Sequence, residues 1–161
     1  MIYLSFDIEE FDMPKEYGYD IAFERQIAIS REGLTAILNL LKKHNVKATF
    51  FSTVVFAQQV PDLIERLLSE GHELASHTYY HSEFENAHLK SSKEALEQQF
   101  GVTIEGLRMP RMLEVSAEEV KKAGYHYNSS VNPTFLPGRY NKLHVPKRFF
   151  NENGLWQILT I

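Results

Sequence analysis

Short apolar segments alternate with helical ones along the whole of this chain, and that alternation leaves few folds open. Ile2 to Asp7, Val46 to Ser52, His72 to Ser76, Ile104 to Leu107, Tyr125 to Tyr127 and Leu155 to Ile161 read as strands. They are brief, rich in β-favouring residues and bounded by turn residues. Between them lie helices. Over residues 25 to 44, Leu34, Ile37, Leu38 and Leu41 recur at the spacing of one apolar helix face, and Lys42, Lys43 and His44 suit its C-terminus. Pro61 opens a second helix that Gly71 closes. Ser91 with Glu94, and Ser116 with Glu119, have capping-box spacing before helices that end at Gly101 and Gly124. Strand, helix, strand, helix is the order of a parallel α/β protein.

The chain has 161 residues, which fits one domain over 1–161 with a core of its own. It has no Cys, so disulfides and thiolate metal sites are excluded. Net charge is -4 with no basic block, which argues against nucleic acid as a partner. No apolar run approaches the roughly 20 residues that span a bilayer. The N-terminus meets Asp7 and Glu9 at once and does not read as a signal peptide, so the sequence as it stands predicts a cytoplasmic protein.

In a parallel sheet the strand C-termini share one face, and sites are built there. Asp7, Glu9, His77 and Arg108 all follow predicted strands. The run Asp7-Ile8-Glu9-Glu10-Phe11-Asp12 holds four carboxylates, which repel unless a cation or an Arg sits among them. Taken alone it reads as a solvated acidic loop, with Asp7 the exception because it ends a buried strand. His77 and His81 have the i, i+4 spacing that puts two imidazoles on one face of a helical turn. Two His and one carboxylate, with a position left for water, are the pattern of a catalytic zinc site. Arg108 suits pairing with a carboxylate, and Arg111 reads as solvated or substrate-facing. Phe6, Phe50 and Phe51 read as core. Tyr79, Tyr80 and Tyr140 fit a sugar-binding groove or a structural role equally well. There is no Gly-x-Ser-x-Gly elbow and no Gly-rich phosphate loop.

Together these segments resemble the polysaccharide deacetylase family, the NodB-homology group or carbohydrate esterase family 4. Ser5-Phe6-Asp7 is similar to the family's first motif, Lys47-Ala48-Thr49-Phe50-Phe51 to its second strand, His77-Thr78-Tyr79-Tyr80-His81 to its His-[Ser/Thr]-x-x-His metal motif, and Arg108-Met109-Pro110 to its Arg-x-Pro motif. The stretch Gly124 to Pro133, with Asn128-Ser129-Ser130, resembles a branch whose first motif reads Ser-Phe-Asp-x-Glu. The resemblance implies a distorted (β/α) barrel, incomplete at the C-terminus. It implies a metal-dependent deacetylase acting on N-acetylated sugars, with Asp7 as base, Arg108 orienting it, and a divalent ion such as Zn2+ on His77 and His81. Tyr79 and Arg111 are the substrate-side candidates.

Three departures from the family pattern shape the expectation. Ile8 stands where the family has a metal-binding Asp, and Glu9 is the substitute, on the same side as Asp7 if the strand continues. Arg111 follows Pro110 where an aromatic is usual. The family's late His, its general acid, has no counterpart, because the last His is His144 and lies too early. A barrel short of its last strands would expose a sheet edge and favour self-association. The rival readings are a metal-independent amidohydrolase on the same fold and a non-catalytic glycan binder.

Overall fold

The computed structural model describes residues 3–137 and 140–160. The elements run β1 (Ser5–Ile8), α1 (Met13–Glu16), α2 (Phe23–His44), β2 (Thr49–Ser52), α3 (Val54–Gln59), α4 (Pro61–Ser69), β3 (Glu73–Ser76), α5 (Asn86–Phe100), β4 (Gly106–Leu107), a 3-10 turn (Pro110–Met112), α6 (Ala117–Lys122), β5 (Tyr127–Asn128), β6 (Phe135–Leu136), β7 (Tyr140–Asn141), β8 (Phe150–Glu152) and β9 (Leu155–Gln157). Seven strands form one sheet in the order β1-β2-β3-β4-β5-β9-β8. The pairings from β1 to β9 are parallel, and β8 returns antiparallel to β9. β6 and β7 form a separate antiparallel pair. The architecture is the expected α/β one, with the sheet open between β1 and β8 among the described residues.

The register sets the site's floor. Ser5, Asp7 and Ile8 lie opposite Thr49, Phe51 and Ser52, which lie opposite Glu73, Ala75 and Ser76. Side chains alternate, so Phe6 and Ile8 face the helical layer while Ser5 and Asp7 face the other side. Phe6 stacks on Phe50 at 5.3 Å between ring centroids, and Ile8 and Phe50 join the main core. Leu34, Leu38 and Leu41 of α2, Leu63, Ile64 and Leu67 of α4, and Leu89 and Leu96 of α5 complete that core. The expected face of α2 is therefore the buried one. Asn45, in left-handed backbone, ends the helix.

Several boundaries differ from the sequence reading. Five of the six predicted strands start later than expected, β1 and β5 run one residue further, to Ile8 and Asn128, and the predicted start at Ile2 and finish at Ile161 lie outside the described residues. The connection from β1 to α2 contains the short helix α1, and the run after Ser52 is helix α3, capped by Thr53, whose hydroxyl accepts the Phe56 N–H at 3.2 Å. Ser91 is no cap. It lies inside α5 and donates to the Ala87 carbonyl at 3.1 Å, while Glu85 precedes the helix and donates its N–H to His88 Nδ1 at 3.2 Å. A hydroxyl inside a helix satisfies itself on the preceding turn, so the capping spacing there carries no boundary. Ser116 does cap α6, accepting the Glu119 N–H at 3.2 Å.

His72 enters the core just before β3. Its Nδ1 accepts the Ala48 N–H at 3.2 Å, and its ring meets Phe50 edge-on at 5.3 Å. Burial, helped by the charge of Lys47 and opposed by Glu70, holds its pKa below the ordinary 6.5. The unfolded chain then takes up this proton at higher pH than the folded one does. The associated stability is whole above the unfolded pKa and is lost as pH falls through about 6.5 and below. The urea-unfolding free energy is expected to drop between pH 7 and pH 5.5, and His72→Gln should flatten that slope. An identical slope in the variant would assign the acid sensitivity to other groups.

Candidate active site

Arg108 follows β4 and joins two of the predicted groups. Its Nη1 donates to Asp7 Oδ1 at 2.7 Å. Its Nη2 donates to Ser5 Oγ at 2.8 Å and to Ser129 Oγ at 2.9 Å, and its Nε donates to the Ser129 carbonyl at 3.2 Å. The guanidinium lies 4.1 Å from the centroid of the Phe51 ring. The Arg108 side chain is 5% exposed and that of Asp7 is 34% exposed. Asp7 is thus held by a buried cation while its carboxylate stays within reach of solvent. Charge-assisted bonds of this kind orient a carboxylate.

The backbone of the same residue holds the first imidazole. Arg108 N–H donates to the Ser76 carbonyl, and the Arg108 carbonyl lies 2.8 Å from His77 Nδ1. A carbonyl only accepts, so Nδ1 carries the proton, and in the neutral ring the lone pair is on Nε2. His81 is arranged alike, with Nδ1 at 2.7 Å from Asp12 Oδ1. His77 Nε2 lies 3.0 Å from Glu9 Oε2, and His81 Nε2 lies 3.3 Å from Glu9 Oε1. One ligand atom from each of Glu9, His77 and His81 falls within 4.8 Å of the others. Glu9 Oε2 is buried and accepts no hydrogen bond. Two imidazole lone pairs facing a carboxylate repel it, and a cation between them turns that repulsion into ligation. The donor set, two His and one carboxylate, fits zinc or a similar divalent ion.

Strand alternation carries past the end of β1. Asp7 and Glu9 both turn toward the site while Ile8, 6% exposed, faces the core. The i, i+4 pair does not lie on a helix. Residues 77–81 form a loop in which Thr78 has φ 66, in the left-handed region that a β-branched residue rarely enters. Thr78 is held there by its N–H on Ser76 Oγ, its hydroxyl on the Tyr80 carbonyl and its carbonyl under the Val54 N–H. The two rings reach one point because this loop folds back.

The acidic run is not a solvated loop. Glu10 and Asp12 are both buried. Glu10 accepts the His81 N–H at 3.0 Å on one oxygen and the Thr53 hydroxyl at 2.7 Å on the other. Asp12 accepts the Ser82 hydroxyl in addition to facing His81. Burial disfavours its charge, but the Ser82 and His81 contacts outweigh that and hold its pKa below the ordinary value. Arg111, also in left-handed backbone, donates to Ser82 Oγ at 3.1 Å and pairs with Glu16 at 2.6 Å. Tyr79 packs against the core beside Tyr80 and His88, and Tyr80 is the more exposed of the two tyrosines. The side chain of Tyr140 lies outside the described residues. His144 lines a cavity of about 530 Å³ with Asn128 and Gln157, on the face of β5 opposite Tyr127.

Sequence reasoning missed Ser129, whose hydroxyl and carbonyl both hold Arg108, and the inward roles of Glu10 and Asp12. Ser129 stood in the run Asn128-Ser129-Ser130, two residues past the predicted strand end at Tyr127, and the sequence reading gave it no role.

The family model described as polysaccharide deacetylase matches residues 1–128, and the chain belongs to that family. A peptidoglycan-N-acetylglucosamine deacetylase from Bacillus cereus is 49% identical over 45 residues, which is 28% of this chain and 16% of that one. A solved structure from Mycobacterium smegmatis, described as a polysaccharide deacetylase, superposes with a TM-score of 0.73 at 23% identity, over 99% of this chain and 58% of that one. A solved peptidoglycan N-acetylglucosamine deacetylase gives a TM-score of 0.53 at 28% identity, over 75% of this chain and 50% of that one. The chain therefore matches little more than half the length of these solved relatives. No helix among the described residues is long and apolar enough to cross a membrane.

Replacing Arg108 by Lys keeps the charge but loses the fork that reaches Asp7, Ser5 and Ser129 together. With Asp7 partly solvated, the expected loss is about 1–3 kcal/mol in urea unfolding. A stability equal to the parent's would show that the fork is dispensable to the fold.

Proposed function

We propose that this domain hydrolyses the N-acetyl amide of sugars in a polysaccharide or glycan precursor, with a divalent metal ion, Zn2+ for preference, held by Glu9, His77 and His81. The observation that carries the reading is the convergence of two imidazole Nε2 atoms on one carboxylate, His77 on Glu9 Oε2 and His81 on Glu9 Oε1. When bound, such a cation supplies Lewis acidity, lowering the pKa of a water from about 15.7 toward about 7 and polarising the amide carbonyl.

The chain's own residues do the rest. Asp7 takes the proton of the attacking water, and Arg108 keeps Asp7 aimed at it. His77 and His81 keep their protons on Nδ1, where the Arg108 carbonyl and Asp12 receive them, so both rings face the cation through Nε2. Water oxygen joins the acetyl carbon, the C–N bond breaks, and both water protons end on the sugar nitrogen, giving acetate and a sugar ammonium. Arg111, anchored by Glu16 and Ser82 after the Arg-x-Pro segment, is the substrate-side cation, and Tyr79 supports the loop that substrate meets.

Calorimetric titration of chelator-stripped protein with zinc should show one ion bound, and His77→Ala should abolish it. Acetate release from N-acetylglucosamine oligomers should follow zinc loading, and Asp7→Asn should reduce it by about 10²–10⁴-fold. Undiminished turnover after chelation would instead support the metal-independent amidohydrolase. Glycan binding without turnover, surviving loss of both Asp7 and His77, would support the non-catalytic reading.

A further inference from the structure

We infer that Asp12 is a positioning residue that fixes the tautomer and direction of the His81 ring, so that Nε2 is presented to the Glu9–His77 pair. The inference rests on the proposed metal site and concerns how this chain builds it. The two imidazoles are held differently. His77 Nδ1 meets a neutral backbone carbonyl, at 2.8 Å. His81 Nδ1 meets a buried carboxylate, at 2.7 Å. A carboxylate behind a ligating imidazole locks the ring and raises its basicity.

Asp12 is itself held from several sides. Ser82 donates to its second oxygen, and Arg111 donates to Ser82 at 3.1 Å. Arg111 is in turn paired with Glu16 at 2.6 Å, on the helix that Asp12 precedes. Glu10 meanwhile holds the His81 backbone N–H, at 3.0 Å. Three carboxylates of one loop thus act on one histidine. Glu9 faces Nε2, Asp12 holds Nδ1 and Glu10 fixes the backbone. Without Asp12 the Nδ1 proton has no fixed acceptor, and the proton can move to Nε2, the atom that must ligate. Because Ile8 faces the core, this loop supplies its ligand from Glu9, and Asp12 follows three residues later on the same turn.

The test uses the whole chain as parent, Asp12→Asn and Asp12→Ala, with folding checked by circular dichroism. Nitrogen-15 NMR of the metal-free proteins reads the His81 tautomer, and zinc affinity is measured by chelator competition. The parent should show His81 protonated at Nδ1. Asp12→Ala should mix the two tautomers and weaken zinc binding about 10–100-fold. Asp12→Asn keeps the size and one acceptor oxygen, and should fall between the two. If Asp12→Ala does not fold, the same readings on Asp12→Asn decide. An unchanged tautomer, or zinc affinity within twofold of the parent's in a folded alanine variant, would overturn the inference. Absence of zinc binding in the parent would overturn the proposed metal site itself, and the tautomer measurement would still show whether Asp12 sets the ring.

Discussion

Arg108 is the contact through which the site is assembled. Its guanidinium draws the end of β1 and the loop after β5 onto β4, through Asp7, Ser5 and Ser129. Its carbonyl holds the His77 ring. Asp7 and the His77 ring are thereby fixed relative to each other by one residue. A buried guanidinium needs all of its donors satisfied, and four of the bonds that satisfy it come from segments more than 20 positions away in the chain. The arrangement exists only when β1, β4 and β5 are docked in register.

Electrostatics explains why the acidic run folds inward rather than into solvent. Each carboxylate finds a distinct donor. Asp7 takes Arg108, Glu10 takes a backbone N–H and Thr53, and Asp12 takes Ser82 and His81. In this run Glu9 is the exception: its Oε2 accepts no hydrogen bond, and its two oxygens face the Nε2 atoms of His77 and His81.

Much of the fold was legible before any coordinates. The alternation of strands and helices, the apolar face of α2, Pro61 at the start of α4 and the Ser116 cap all express local rules of propensity and periodicity. The errors were local as well. Val54 to Gln59 followed a strand directly and carried β-branched residues, so only the Thr53 cap distinguished it as helix. Asn153-Gly154, a hairpin dipeptide, turns β8 back onto β9 with both residues in left-handed backbone, and that signal went unused.

The amino-acid order by itself determined which residues stand at the ends of strands, and with that the candidacy of Asp7, Glu9, His77 and Arg108. It offered Asp7 and Glu9 a shared side only if the extended backbone continued past Asp7. Tertiary structure decided the rest. It made residues 77–81 a folded loop instead of a helical turn, by placing Thr78 in strained backbone held from neighbouring segments. It turned Glu10 and Asp12 from solvated charges into supports of His81, about 70 positions away. Spacing along the chain carries the period of one strand or helix, whereas a hydrogen bond across such separations depends on how the sheet brings the loops together.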